Sequence, residues 1–140
     1  MASVLHLKGL QQIFQGSIAL ESDTLQLRYM ATSYTPAPTT ENFWSDTSAS
    51  EASGAPTETL ANVTVRIDAA NSRIEIDFDD VTENTITTST NKFQIIKWTG
   101  VAATSPIIGT FDIAEGTLAP VAGTLSLTFN AEGIFSIATT

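Results

Sequence analysis

The densest run of chemically capable side chains is Glu75, Asp77, Asp79 and Asp80, with Glu83 just beyond. Strand alternation puts Glu75, Asp77 and Asp79 on one face. Closely spaced carboxylates are the oxygen ligands that Ca2+ gathers. The run lacks the Gly and the terminal Glu of an EF-hand loop. A solvated strand face that discourages edge pairing explains the same acids equally well, so no metal is assigned. A glycosidase needs two carboxylates across a cleft, but among 15 Asp and Glu some pair always exists, and the count selects nothing.

Nucleophilic chemistry has little to work with. The chain has no Cys and one His, His6, set between Leu5 and Leu7. No Gly-x-Ser-x-Gly elbow accompanies it, so His6 reads as a surface or core-edge side chain. Neither a P-loop nor a dinucleotide fingerprint occurs. The expectation is a non-enzyme without a cofactor. Aromatic side chains are the other candidates. Tyr34, Phe43 and Trp44 lie in a Thr/Ser/Ala/Pro-rich stretch, and Trp98 lies further on. Such groups serve as anchors for a protein partner or as a stacking platform for sugars. Alternatively, Phe43 and Trp44 fold back to plug the end of the domain.

Composition narrows the classes. At 140 residues with 42% hydrophobic content, one domain with a real core is expected over residues 1–140. Only 15% of residues are charged, so Thr, Ser, Asn and Gln must cover the surface. The net charge is −9 and the basic residues Lys8, Arg28, Arg66, Arg73, Lys92 and Lys97 are scattered. Direct nucleic-acid binding, which needs clustered Lys and Arg, is not expected. No stretch approaches the length of a membrane-spanning helix. The N-terminus carries His6, Lys8, Gln11, Gln12 and Gln15, too polar for a secretory signal. Synthesis in a cytoplasm and action without processing are expected.

These side chains need elements to hold them. Val4, Leu7, Leu10 and Phe14 recur at helical spacing, with Ser3 placed as N-cap and Gly16 as stop, which predicts a short helix over 4–15. Leu25, Leu27 and Tyr29 alternate as one face of a half-buried strand. Residues 33–59 carry Pro36, Pro38 and Pro56 and read as a long loop or docking arm, mobile when free and ordered when bound. Alternating strands follow at Val63–Ile67, Ile74–Phe78 and Leu125–Phe129, and further strands at Phe93–Trp98, Ile107–Ile113, with Gly109 as a candidate bulge, and Ile134–Ile137. Asp68 to Ser72 and Asn130 to Gly133 read as turns. About seven strands with turns roughly every 8–12 residues predict an all-β fold, an antiparallel β-sandwich or barrel-like domain.

The order of several short stretches resembles a family of small virion proteins encoded by tailed bacteriophages. They are Leu7 to Ile18, Ser22 to Leu27, Tyr34-Thr35-Pro36, Phe43 to Asp46, Thr59 to Thr64 running into Phe78 to Thr82, Ser105 to Gly109, and Phe129 to Phe135. The resemblance covers nearly the whole chain. It implies a structural protein of the particle without catalytic residues, located in the virion. In this sequence Glu83-Asn84-Thr85 interrupts the apolar strand after Val81-Thr82, which puts the pairing of that segment in question.

The leading expectation is a capsid decoration (cement) protein that binds the major capsid protein and stabilises the shell, as a dimer or trimer matched to lattice symmetry. Its partner-binding candidates are Leu7, Leu10, Phe14, Tyr34, Phe43 and Trp44. The alternative is a tail-associated adhesin or glycan-binding module using the exposed aromatics.

Overall fold

The computed structural model describes residues 3–114, 116–118, 123–129 and 135–138. The chain opens with β1 (Val4–Leu5), α1 (Leu7–Phe14), β2 (Leu25–Met30), α2 (Trp44–Thr47), a 3-10 turn (Ser48–Ser50) and β3 (Thr57–Thr59). It continues with β4 (Thr64–Asp68), β5 (Arg73–Asp77), β6 (Val81–Ile86), β7 (Lys92–Lys97), a second 3-10 turn (Ala102–Thr104), β8 (Ile107–Asp112), β9 (Gly123–Leu127) and β10 (Phe135–Ala138). Three antiparallel sheets result: one in the order β1-β8-β7-β2-β3, one in the order β10-β5-β4, and the pair β6-β9. No barrel closes among the described residues. The architecture is an all-β, sandwich-like fold with a short N-terminal helix.

The five-stranded sheet is buried on both faces. On one face Leu25, Leu27, Tyr29, Phe93, Ile95 and Phe111 pack against Phe78, Val81, Leu125 and Leu127. The Phe129 ring meets Phe78 and Phe93 edge-on at 4.5 and 6.0 Å between centroids. Each fully buried side chain of this size contributes about 1.5–3 kcal/mol of transfer free energy. On the other face Met30, Ile96 and Ile107 are covered by Tyr34 and Trp44. β2 is therefore not the half-buried strand its alternation predicts, since Gln26 and Met30 are buried as well as Leu25, Leu27 and Tyr29.

The covering layer is the 33–59 segment. It contains α2, a 3-10 turn and β3, and it is stitched to the sheet by backbone hydrogen bonds from Ala31 to Ser50, Ala52 to Tyr29 and Trp44 to Ser105. A segment that buries Trp44 and pairs its last strand with β2 is a packed layer rather than a free arm.

Other expectations shift in detail. The helix begins at Leu7, because Val4 and Leu5 pair with Thr110 and Gly109 of β8. His6, not Ser3, occupies the N-cap, while the Ser3 hydroxyl accepts from the Asp112 amide at 3.0 Å. Gly16, at φ +74°, ends the helix where a side chain would be strained. Opposite β7, Ile95 faces Gly109 and Ile96 faces Ile107, so the extra residue of the bulge is Ile108, next to the Gly109 of the sequence reading. β6 runs through Glu83-Asn84-Thr85 and pairs with β9, at the cost of a register shift between Glu83 and Ile86. Val65, Ile67 and Ile74 lie exposed on the three-stranded sheet, while Ile76 of the same face is buried. The turn expected at Asn130 to Gly133, and Ile134, lie outside the described residues.

Gly9 sets how closely α1 approaches β8. A Cβ there would fall inside the contact distance of the Ile107 carbonyl and 2.7 Å from the Ile108 Cα. Both are backbone atoms of a strand paired on both sides, by β1 and β7, and cannot step aside. Gly9→Ala is expected to destabilise the fold by about 1–3 kcal/mol despite its better helix propensity, measured as a lowered denaturation midpoint. A midpoint at or above the wild-type value would refute the close approach.

Candidate functional site

The chemically richest place in the molecule is a buried polar spine on the face covered by residues 33–59. β7 contributes Gln94 and β8 contributes Thr110, which face each other across the strands. β1 and α1 leave His6 at their junction, fully buried. The covering layer brings Tyr34, Glu41 and Thr47.

Every hydrogen-bonding group of Gln94 is used. Its amide nitrogen donates to the Tyr34 hydroxyl at 2.8 Å and to Thr110 Oγ1 at 3.1 Å. Its oxygen accepts from Thr47 Oγ1 at 2.9 Å. His6 Nδ1 lies 3.1 Å from the Glu41 carbonyl and Nε2 lies 2.9 Å from Thr110 Oγ1. A carbonyl only accepts, so Nδ1 carries the proton and Nε2 accepts from the threonine hydroxyl. Tyr34 donates to Glu41 Oε2 at 2.6 Å, and the Ala37 amide donates to the same oxygen at 2.8 Å.

Titration is displaced in this spine. Burial lowers the His6 pKa from its ordinary value, against the opposing pull of the Glu41 carbonyl and carboxylate. Burial, reinforced by the neighbouring Glu41 carboxylate, pushes the Tyr34 phenol far above its ordinary value. A neutral imidazole and a neutral phenol, both fully hydrogen-bonded and shut away from solvent, suit structural cohesion rather than proton transfer.

His6 is thus a core residue, contrary to the surface or core-edge position read from the sequence. Its Leu5 and Leu7 neighbours gave no sign of that, because the partners that hold it are 35 and 104 residues away.

The acidic run is similarly occupied. Glu75 is buried and bridges Arg66 Nε at 2.7 Å and Arg73 Nη2 at 2.8 Å. Asp77 lies 3.7 Å from Arg66, Asp79 accepts from Asn62, and Asp80 accepts from the Phe129 amide. Among the described residues no three His, Asp or Glu side chains gather as metal ligands would.

The aromatic candidates divide. Trp44 is 4% exposed and Tyr34 is buried. The Arg28 guanidinium sits 5.1 Å from the Trp44 ring and 5.2 Å from the half-buried Trp98 ring, a cation–π sandwich tied off by Glu51 at 3.3 Å. Phe43 is half-buried under Lys8, at 5.8 Å. These rings are therefore spent on the protein's own packing. The helix differs: Leu10 is half-buried, but Leu7 and Phe14 are 57% and 77% exposed. Seven residues apart, they lie on one stripe of α1, opposite the side that Gly9 presses onto β8. In comparisons with known proteins, no family model, no curated protein and no solved structure matches this chain.

The spine generates a pH-dependent expectation. Because folding depresses the His6 pKa, the unfolded chain binds the proton more readily, and stability is lost as pH falls through 6.5. His6→Gln removes this titration. The stability advantage of wild type over His6→Gln should shrink between pH 7 and about pH 5, read by chemical denaturation. A constant difference would show that His6 is not held neutral. At neutral pH, His6→Ala should cost about 1–3 kcal/mol by leaving buried partners unsatisfied.

Proposed function

We propose that this chain is a non-enzymatic structural protein of a tailed-phage particle, a capsid decoration protein that binds the major capsid protein and stabilises the shell as a homo-oligomer. The likeness of its sequence stretches to small tailed-phage virion proteins supplies the class. The observation that carries the docking mode is the exposed Leu7 and Phe14 pair on a helix held rigidly to the sheet. Large apolar side chains on one stripe, fixed before binding, lose little entropy on docking and make effective anchors. A rigid body that binds only the assembled lattice stabilises it by mass action, and symmetric copies multiply weak contacts. The buried spine favours the same role, since it commits the domain's polar side chains to cohesion and leaves recognition to the surface.

The test is co-sedimentation of purified protein with expanded, undecorated phage heads and, separately, with host cells. Saturable binding to heads, with a raised melting temperature of the shell, is the expected result. A Leu7→Ser/Phe14→Ser double variant should keep its fold, with stability changed by no more than about 0.5 kcal/mol per exposed site, while binding falls roughly tenfold or more. Binding to cells and not to heads would replace this reading with an adhesin. Head binding that survives the double change would move the docking face off α1.

A further inference from the structure

The three-stranded sheet ends at β4, whose outer edge carries no further strand among the described residues. The Val65 amide shows which backbone groups that edge offers. It donates to Glu21 Oε1 at 2.8 Å and so points away from β5. Backbone groups alternate between the two edges of a strand. Arg66 therefore pairs inward with Glu75, while the amide and carbonyl of Ile67 point outward like those of Val65. No described residue bonds to those outward groups of Ile67. At 81% exposure, Ile67 is also the most open of the large apolar residues described.

Edges of this kind are templates for a further strand, and proteins usually blunt them with Lys, Pro or a bulge. β4 contains neither Lys nor Pro and runs in unbroken register with β5. Its guard is the Glu21 carboxylate, which occupies the Val65 amide and leaves the Ile67 end open.

The charges on the strand select what pairs there. Arg66 and Asp68 share the sheet face opposite Ile67 and carry opposite signs two positions apart. Antiparallel self-pairing centred on Arg66 sets that residue against its own copy, and like charges directly opposite are destabilising. Centred on Val65, it needs the amides that Glu21 already holds. Centred on Ile67, it sets each Arg66 opposite Asp68 of the other copy and Ile67 against Ile67. The two Ile67 residues then exchange a reciprocal pair of backbone hydrogen bonds. Arg66 and Asp68 keep their contacts to Glu75 and Arg73 within the sheet and gain a neighbour of opposite sign.

We propose that β4 pairs with β4 of a second copy, antiparallel and centred on Ile67, to make one continuous sheet across a two-fold axis. The pairing gives the homo-oligomer of the proposed function its interface and rests on that reading for its place in the particle. It is tested on the isolated protein, so its failure is distinct from a failure to bind heads. A five-residue strand offers few bonds, so the dimer is weak in dilute solution and favoured where copies sit side by side on a lattice.

The test uses the full-length chain. Sedimentation equilibrium should show monomer and dimer in balance, with a Kd on the order of 100 µM. Ile67→Lys, a change at an exposed site, should keep the fold by circular dichroism and weaken the dimer at least roughly tenfold. Leu7→Ser/Phe14→Ser should leave it unchanged. Because the chain has no Cys, single-cysteine variants read the register. Cα atoms of a hydrogen-bonded antiparallel pair lie about 5.5 Å apart, within the span of a disulfide. Ile67→Cys should therefore cross-link under mild oxidation at least roughly tenfold faster than Val65→Cys or Val101→Cys, which are exposed but not self-opposed. Equal rates at the three positions, or fastest cross-linking at Val65, would overturn the pairing. So would a chain that stays monomeric up to about 1 mM, or a dimer undiminished in folded Ile67→Lys. A monomer that loses head binding in Ile67→Lys would assign the edge to the major capsid protein instead of a second copy.

Discussion

The side-chain amide of Gln94 is the point on which this structure turns. It sits at the middle of a central strand, fully buried, with two donors and one acceptor that must all be met away from water. Meeting them requires Thr110 from the adjacent strand and Tyr34 and Thr47 from a segment that is remote in sequence. His6 and Glu41 then complete the partners of Thr110 and Tyr34. A half-satisfied network of this kind would be worse than an apolar core. The covering segment is therefore placed by hydrogen-bond geometry as well as by hydrophobic contact.

The two faces of the large sheet consequently differ in kind. One is a conventional apolar interface in which Phe78, Phe93, Phe111 and Phe129 interlock. The other mixes Met30, Trp44, Ile96 and Ile107 with the polar spine, and it fixes a single arrangement of residues 33–59. The Arg28 sandwich between Trp44 and Trp98 pins the same layer from its other side. At the N-terminal end Gly9 brings α1 onto β8, and the Leu7 amide donates to the Pro38 carbonyl at 3.1 Å, so helix and covering layer brace each other.

This division of labour bears on function. Aromatics that look available in a Thr/Ser/Pro-rich stretch are consumed by internal packing, and two of the acids that look like a ligand set, Glu75 and Asp77, pair with Arg66 and Arg73 on the three-stranded sheet. Among the described residues, the large apolar side chains that remain outward are Leu7 and Phe14 on one stripe of α1, Val65, Ile67 and Ile74 on the three-stranded sheet, and Val101. A body whose interior is so fully committed presents such a stripe with little reorganisation on binding.

Much of the fold was legible because it rests on short-range physics. Period-two alternation marked β2, β4 and β5, since successive side chains in a strand must point to opposite faces, and apolar runs marked β7 and β8. Helical spacing and a glycine with positive φ marked the body and end of α1, for equally local reasons. The absence of cysteine and the scarcity of histidine set firm limits on chemistry from composition alone. Tertiary structure decided what local pattern cannot carry: that the second face of β2 is buried, that His6 is a core residue and that Trp44 faces inward. Each depends on partners tens of residues distant, because a side chain's exposure is fixed by whatever layer the rest of the chain folds over it. For this protein that layer is the Pro-rich segment, whose own sequence marks it as a loop and whose place is set by the unmet hydrogen bonds of the sheet beneath.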